Sequence, residues 1–469
     1  MTSLEYLYHP ERLRYPLRRI GNRGEGNWKR ISWDEALEII SEKLKSVRKE
    51  YEAESVVFIQ GAAKGLQDTY LRRFANVFGT PNVASMGYVC FLPRKFGSVM
   101  TFGYNPNPDY DHPPNCIMVW ASHKSKIAEY YKTLEATEKG AKLIVIDPRK
   151  TELVRRSETW VRLRPGTDLA LALGMINVII NEELYDKSFV EEWTVGFDEL
   201  KGHIKDYPPE RVEEITWVKK DLIEEIARMY ATVRPACIQM GNAFEQNVNS
   251  FQTVRAISIL KALTGNLSVP GGEAYRAPLP IHDRYAPELT LDHMLPDEKK
   301  QMRLGSDNNF LPFYQFAHPP AVIQAMVEGR PYPVRAAYVQ GANPLLTYGN
   351  AQETFKAFMG LDFSVVADLF MTPTAALADI VLPSASYLEF DSIVNPPYYP
   401  IAQVQQKAAE LEECRSDSKI LNGLAKRMDL GQFFWEDERG MLDVILKPAG
   451  MDFDEFREMG AMSGDKEYY

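Results

Sequence analysis

Cysteine is scarce in this chain: four in 469 residues, Cys90, Cys116, Cys237 and Cys414, with no C-x-x-C pair among them. Such spacing argues against a disulfide framework in a chain of this size. It argues equally against a self-contained iron–sulfur cluster or structural zinc site, which need closely spaced thiolates. Long apolar runs are missing too. None approaches the ~18–20 residues that cross a bilayer, and the best candidates, 170–180 and 236–240, read as a buried helix and a buried strand. There is no excess of positive charge. The net charge of -10 at pH 7 counts against a nucleic-acid or polyanion partner. The first residues, MTSLEYLYHPERLRYP, lack the apolar core of a signal peptide. The expected location is therefore the cytoplasm, with the periplasm open if a signal lies upstream.

What is present is ordinary globular material, 45% apolar and 25% charged. Its length suggests roughly two to four domains. Residues 1–31 have turn glycines and no clear periodicity and read as an arm. Ser32-Trp33-Asp34-Glu35 reads as a capping box that opens a helix to Tyr51, with Ala36, Leu37, Ile40, Leu44 and Val47 on one face. Short apolar strands then alternate with amphipathic helices. Strands are expected at 55–60, 116–121, 143–147, 236–240, 336–340 and 364–368. Helices are expected at 66–78, 127–137, 169–181, 220–232, 250–263, 351–359 and 418–427. Nearly continuous apolar strands suit a parallel sheet covered on both faces, so the fold class is α/β and doubly wound. Residues 274–333, rich in Pro, Asp and Tyr, break this rhythm and read as a structural wrap or a substrate-facing loop. Residues 438–469 read as one or two helices and a charged tail.

An internal repeat is the most informative feature. IMVWASHKSK from Ile117 and AYVQGANPLL from Ala337 are each a buried strand entering a small-residue turn. Farther on, LIVIDPRKTELVRRSETWVRL matches FSVVADLFMTPTAALADIVLP. Asp147 pairs with Asp368, Thr151 with Thr372 and Glu158 with Asp379 at identical offsets. Trp120 lies 27 residues before Asp147, and Gln340 lies 28 before Asp368. In parallel sheets, ligands sit beyond the carboxyl ends of strands, where turn and helix amides meet phosphate. The turns 121–123 and 341–343 are thus candidate pyrophosphate cradles. An acidic residue ending the next strand suits a ribose hydroxyl or a purine edge. Two further strand–glycine turns, Gln60-Gly61 and Met240-Gly241-Asn242, are candidates to line the same cleft. A single such unit is ordinary in any α/β protein; the duplication is what implies two similar dinucleotides about a pseudo-twofold axis. Arg164-Pro165-Gly166-Thr167-Asp168 adds a turn before a long apolar helix. Thr167 or Asp168 could cap that helix, or Asp168 could accept two hydrogen bonds from a guanine edge.

Several stretches together resemble the dimethyl sulfoxide reductase family of molybdenum and tungsten bis-pterin enzymes: LYHPERLRYPLRR, WKRISWDEAL, IVIDPRKT, RPGTDLALALGMINVII, LKALTGNLSVPGGE, QGANP and VVADLFMTPTAALADIVLPSASYLE. The resemblance implies two molybdopterin guanine dinucleotides on one Mo or W. It implies two Rossmann-like domains, with 106–334 inserted into a domain built from 33–105 and 335–469, and 1–32 as a remnant arm. Asp147 and Asp168 are then guanosine contacts for one cofactor. Gly341, Asn343, Asp368 and Thr372 are contacts for the other. Ser122, His123, Arg149, Thr151, Gly166, Gly241 and Asn242 complete the expected cofactor-binding set. Cys90 falls where the family supplies a further metal ligand, and a thiolate is a suitable soft donor; a lone cysteine is otherwise commonly a small buried residue. Cys116, Cys237 and Cys414 read as structural residues in strands or helices.

Phe91 follows Cys90, where formate dehydrogenase-like members place a His, so formate oxidation is disfavoured. Arg94, Lys95 and His123 are weak acid/base candidates. The family's [4Fe–4S] domain and pterin-closing domain are expected in a missing segment or in partner chains. The leading expectation is a two-electron oxidoreductase acting on a small substrate beside an iron–sulfur electron-transfer subunit. The alternatives are a non-redox hydratase and a cofactor-free structural subunit.

Overall fold

The computed structural model describes residues 2–62, 65–123, 128–307, 316–396 and 400–468. Its strands run, in chain order, β1 (Leu17–Arg19), β2 (Trp28–Arg30), β3 (Val56–Gln60), β4 (Val83–Ser85), β5 (Asn107–Pro108), β6 (Cys116–Trp120), β7 (Lys142–Ile146), β8 (Thr159–Val161), β9 (Ala236–Met240), β10 (Glu273–Arg276), β11 (Ala336–Gln340), β12 (Phe363–Asp368) and β13 (Ile380–Pro383). The chain forms two compact units. The outer comprises Met1–Tyr88, Leu279–Pro397 and Ile401–Ser463; the inner comprises Val89–Pro278, Tyr398–Pro400 and Gly464–Tyr469.

The inner unit is built on a four-stranded sheet of order β8-β7-β6-β9, parallel throughout. Alternation along its strands covers both faces. Met118, Trp120, Ile144 and Ile146 face helices Asp168–Asn181, Lys220–Thr232 and Ser250–Leu263. Ile117, Val119, Leu143 and Val145 face Tyr130, Ala136 and Leu153. Each of these side chains is fully or nearly fully buried, which contributes about 2 kcal/mol apiece. Helix Asp168–Asn181 is apolar nearly all round because neighbouring helices flank it on several sides.

The outer unit carries a seven-stranded sheet of order β2-β1-β13-β12-β11-β3-β4. Its five strands from β13 to β4 are parallel. Val57, Ile59, Ala337, Val339, Val366 and Val381 face one layer of helices. On the other face Phe58 meets Phe74 and Phe78 edge-on, beside Tyr338. The mixed α/β class with parallel sheets is as the sequence indicated.

Three local expectations need correcting. Residues 1–31 are more than an arm: β1 pairs antiparallel with β13, and β2 with β1, extending the outer sheet. Three-residue strands are too short to display a period of two. Ser32 does accept from the Glu35 amide at 3.1 Å, whereas the Glu35 carboxylate lies 3.9 Å from Arg18. Cys414 lies in neither strand nor helix; it sits in a turn with its thiol 3.4 Å from the Leu13 carbonyl.

Segment 279–334 packs with the outer unit, whereas the sequence reading placed its boundaries at 105/106 and 334/335. Ala317 donates to the Val83 carbonyl at 2.8 Å, Asn76 donates to the Thr290 carbonyl at 2.9 Å, and Arg73 donates to the Glu288 and Leu289 carbonyls. These long-range main-chain contacts carry no local periodicity. Residues 438–463 form helices Glu438–Leu446 and Phe453–Met459, the second with a complete capping box on Asp452 and Glu455, followed by a short strand.

Candidate functional site

The chemistry-bearing residues of the inner unit gather at the carboxyl ends of its strands. β6 runs into Ala121, which adopts a left-handed φ of 53°, a conformation unfavourable for a residue with a β-carbon. Its amide donates to the Ile146 carbonyl at 2.9 Å, and the Gly241 amide donates to the Trp120 carbonyl at 2.9 Å. The turns after β6 and β9 are thereby drawn together. A β-carbon on Gly241 would stand 1.7 Å from the Ala121 carbonyl oxygen, so no other residue fits there. Ser122, in the same turn, is buried and its hydroxyl has no hydrogen-bond partner in the structure. His123 and Asn242 are exposed.

Asp147 follows β7 and is buried; its Oδ1 accepts from the Arg149 amide at 2.8 Å, while the Arg149 side chain is exposed. Thr151 Oγ1 accepts from the Val154 amide at 3.4 Å. The helix-capping explanation of Thr167-Asp168 does not hold. Thr167 makes no side-chain cap bond and instead donates to the Arg164 carbonyl at 2.6 Å. Asp168 accepts from Trp120 Nε1 at 2.9 Å. Burial raises the Asp168 carboxyl above its ordinary range; the Trp120 bond opposes this and the Asp147 charge adds to it. Gly166, at φ 83°, is exposed in the turn before that helix.

The outer unit repeats this geometry. β11 runs into Gly341 at φ 52°, whose amide donates to the Ala367 carbonyl at 3.0 Å. Gly61, after β3, would place a β-carbon 2.6 Å from the Gly341 carbonyl oxygen. The Thr372 amide donates to the Phe370 carbonyl at 2.9 Å, as the Thr151 amide does to Arg149. Thr372 Oγ1 accepts from the Ala375 amide at 3.2 Å. Asp368 Oδ1 accepts from the Leu369 amide at 2.6 Å, and burial raises its carboxyl above the ordinary range. Asn343 Oδ1 accepts from Thr374 Oγ1 at 2.7 Å. The strand order β13-β12-β11-β3 is that of β8-β7-β6-β9, except that β3 precedes its partners in the chain and β9 follows them.

Cys90 is half-buried in the inner unit and stands at the N-cap of helix Phe91–Phe102, where the partial positive charge of the amides favours an anion. Lys95 is half-buried on that helix. Cys116 and Cys237 are fully buried in β6 and β9, and burial pushes both thiols up, Cys116 to about 12. Among the described residues no three His, Cys, Asp or Glu side chains converge as a metal cage. A metal here would need ligands brought by a cofactor, with the protein adding one donor. The buried polar atoms fit such a guest. Among the described residues, the Gln239 side-chain ends and the Ser122 hydroxyl in the inner unit, and the Gln60 ends and the Gln340 oxygen in the outer unit, lack hydrogen-bond partners, although buried polar groups are nearly always paired. The sequence reading named the Gln60-Gly61 turn and used Gln340 to set the repeat, but it missed Gln239, because a lone Gln in an apolar strand carries no pattern. Trp120 was read only as strand, and Thr374 was not singled out.

Two sheets with parallel cores and matched strand-end turns and carboxylates define an α/β protein with the same strand-end geometry in each unit. The chain belongs to the molybdopterin oxidoreductase family, whose model matches residues 12–427. It is 36% identical to the acetylene hydratase of Syntrophotalea acetylenica over 96% of this chain and 66% of that protein. It is 31% identical to formate dehydrogenase H of Escherichia coli, over 89% of this chain and 60% of that protein. The acetylene hydratase structure from Pelobacter acetylenicus superposes with a TM-score of 0.92 at 34% identity, covering 99% of this chain and 68% of that one. The chain thus spans about two thirds or less of the curated relatives it matches. Family membership implies a molybdenum- or tungsten-bearing pterin cofactor. No helix among the described residues is long and apolar enough to cross a membrane.

Proposed function

We propose that this chain is the cofactor-holding core of a molybdenum or tungsten bis-pterin enzyme, with one guanine dinucleotide in each cradle. The observation that carries the reading is the repeated turn: a residue at φ near 52° after β6 and after β11, a glycine pressed against its carbonyl oxygen, and a carboxylate at the end of the next strand. In the inner unit Asp147 and Asp168 would accept from guanine or ribose donors, with Ser122, His123, Arg149, Thr151, Gly166, Gly241 and Asn242 around the phosphates and sugar. In the outer unit Asp368, Thr372, Gly341 and Asn343 take these parts. Cys90 is the protein's own donor to the metal. When bound, such a centre supplies a two-electron couple or a Lewis acid; the chain's residues orient it and keep water from its phosphate anchors.

The proposed reaction is two-electron redox on a small substrate, in the cytoplasm, with electrons passed to an iron–sulfur partner or segment. A second reading, hydration of an unsaturated substrate without net redox, is favoured by the resemblance to acetylene hydratase in both sequence and structure and by Phe91 beside Cys90. The test is metal and nucleotide analysis of protein purified with its natural partners. Molybdenum or tungsten with two equivalents of releasable GMP per chain is expected. Asp147→Asn and Asp368→Asn should each lower GMP content, and absence of metal and pterin from the wild type would overturn the proposal. Product formed from acetylene with no electron acceptor present would select hydration.

A further inference from the structure

Helix Phe91–Phe102, whose N-cap is Cys90, is tied to the end of β9 near its start. Arg94 Nη1 donates to the carbonyl of Met240, the last residue of β9, at 3.0 Å. Its Nε lies 2.7 Å from Glu245 Oε1. The Arg94 side chain is 13% exposed and that of Glu245 0%, so this ion pair is screened from water. One turn farther along, Gly97 rests on Val254 of helix Ser250–Leu263, where a β-carbon would stand 2.8 Å from two valine carbons. The helix therefore cannot slide along its neighbour without breaking either the Arg94 contacts or this close approach. Cys90 is the N-cap of this helix and Arg94 lies four residues on, in its first turn, so the Arg94 contacts fix the end of the helix from which Cys90 projects. The planar guanidinium spans a carbonyl and a carboxylate in fixed directions, which an ammonium on a flexible stem does not reproduce. Glu245 follows the Asn242–Phe244 turn and so carries the strut into the loop that begins at Gly241.

We infer that Arg94 and Glu245 are positioning residues for Cys90, a strut that fixes the height of the Cys90 thiol relative to the strand end where the inner cradle lies. This rests on the proposed role of Cys90 as metal donor. In this role neither residue touches metal or substrate itself.

Removing one partner alone would strand a buried charge and could unfold the helix. The informative variant is therefore the double exchange Arg94→Met with Glu245→Leu, which replaces the pair by apolar volume, beside Arg94→Lys and the control Lys95→Met. Two readouts are taken. In metal-free protein, site-resolved alkylation of Cys90 by iodoacetamide at one pH should accelerate several-fold in the double variant, less in Arg94→Lys, and not in Lys95→Met. In metal-loaded protein, X-ray absorption should count one sulfur fewer around the metal in the double variant than in wild type, at unchanged pterin content. An alkylation rate and a sulfur count both equal to wild type would overturn the strut. Wild-type protein whose metal has no sulfur beyond those of the pterins would instead remove Cys90 as donor, and wild-type protein without metal would remove the proposed function; the alkylation comparison reports on the strut in either case.

Discussion

At Gly241 the constraint is spatial. An added β-carbon meets backbone rather than a movable side chain, 1.7 Å from the Ala121 carbonyl oxygen, so one of the two turns must shift. Gly241→Ala is expected to cost about 3 kcal/mol of stability in denaturant titration and to lower cofactor content. Gly349→Ala, where nothing lies within 4 Å, should change neither. The sequence showed a glycine after a strand at Gly61 and at Gly241 but could not show that each presses on a carbonyl oxygen of the neighbouring turn. Asp168 is a parallel case. Its place after Arg-Pro-Gly-Thr suggested a cap, yet the side chain is engaged by Trp120, a residue 48 positions away in the chain. Trp120→Phe keeps the ring packing and removes the indole donor, leaving a buried carboxylate without it. The expected cost is about 1–3 kcal/mol, measured as a lowered thermal midpoint.

Among elements, those with strong local patterns were legible. Helix Trp33–Tyr51 and strands β9 and β11 have the bounds that their periodicity indicates, because ends marked by caps and by abrupt polarity changes are set locally. β1, β2, β4 and β13 were not read, since three- or four-residue strands owe their existence to neighbouring strands. Helix Asp417–Arg427 illustrates an element whose energetics only packing reveals. Asp417, at its first position, is half-buried; lost solvation raises its carboxyl most, the Ser384 hydrogen bond opposes this, and Asp368, Glu438 and Asp68 add negative potential, so that it is pushed up to about 7. A carboxyl with a raised native pKa binds its proton more tightly in the fold than in the open chain. Its stabilising contribution is thus fully present below about pH 4 and is lost as pH rises through about 7. Asp417→Asn should therefore raise the thermal midpoint at pH 8 and change it little at pH 5, flattening the slope between them. An unchanged slope would show that Asp417 is not the group responsible.

Over the whole molecule, no helix among the described residues is long and apolar enough to cross a membrane, and the cysteine spacing and net negative charge argue against a disulfide scaffold and a polyanion-binding surface. The repeat in sequence also marked the two strand-end turns proposed as cradles, because a strand-end aspartate and a threonine four residues later keep fixed offsets on a continuous stretch of backbone. Tertiary structure alone decided that β3 fills the place in one sheet that β9 fills in the other, that segment 279–334 belongs with the outer unit, and that Arg94 reaches Met240 and Glu245. Those facts join residues far apart in the chain, and a pairing made by packing leaves no period or spacing for the sequence to display.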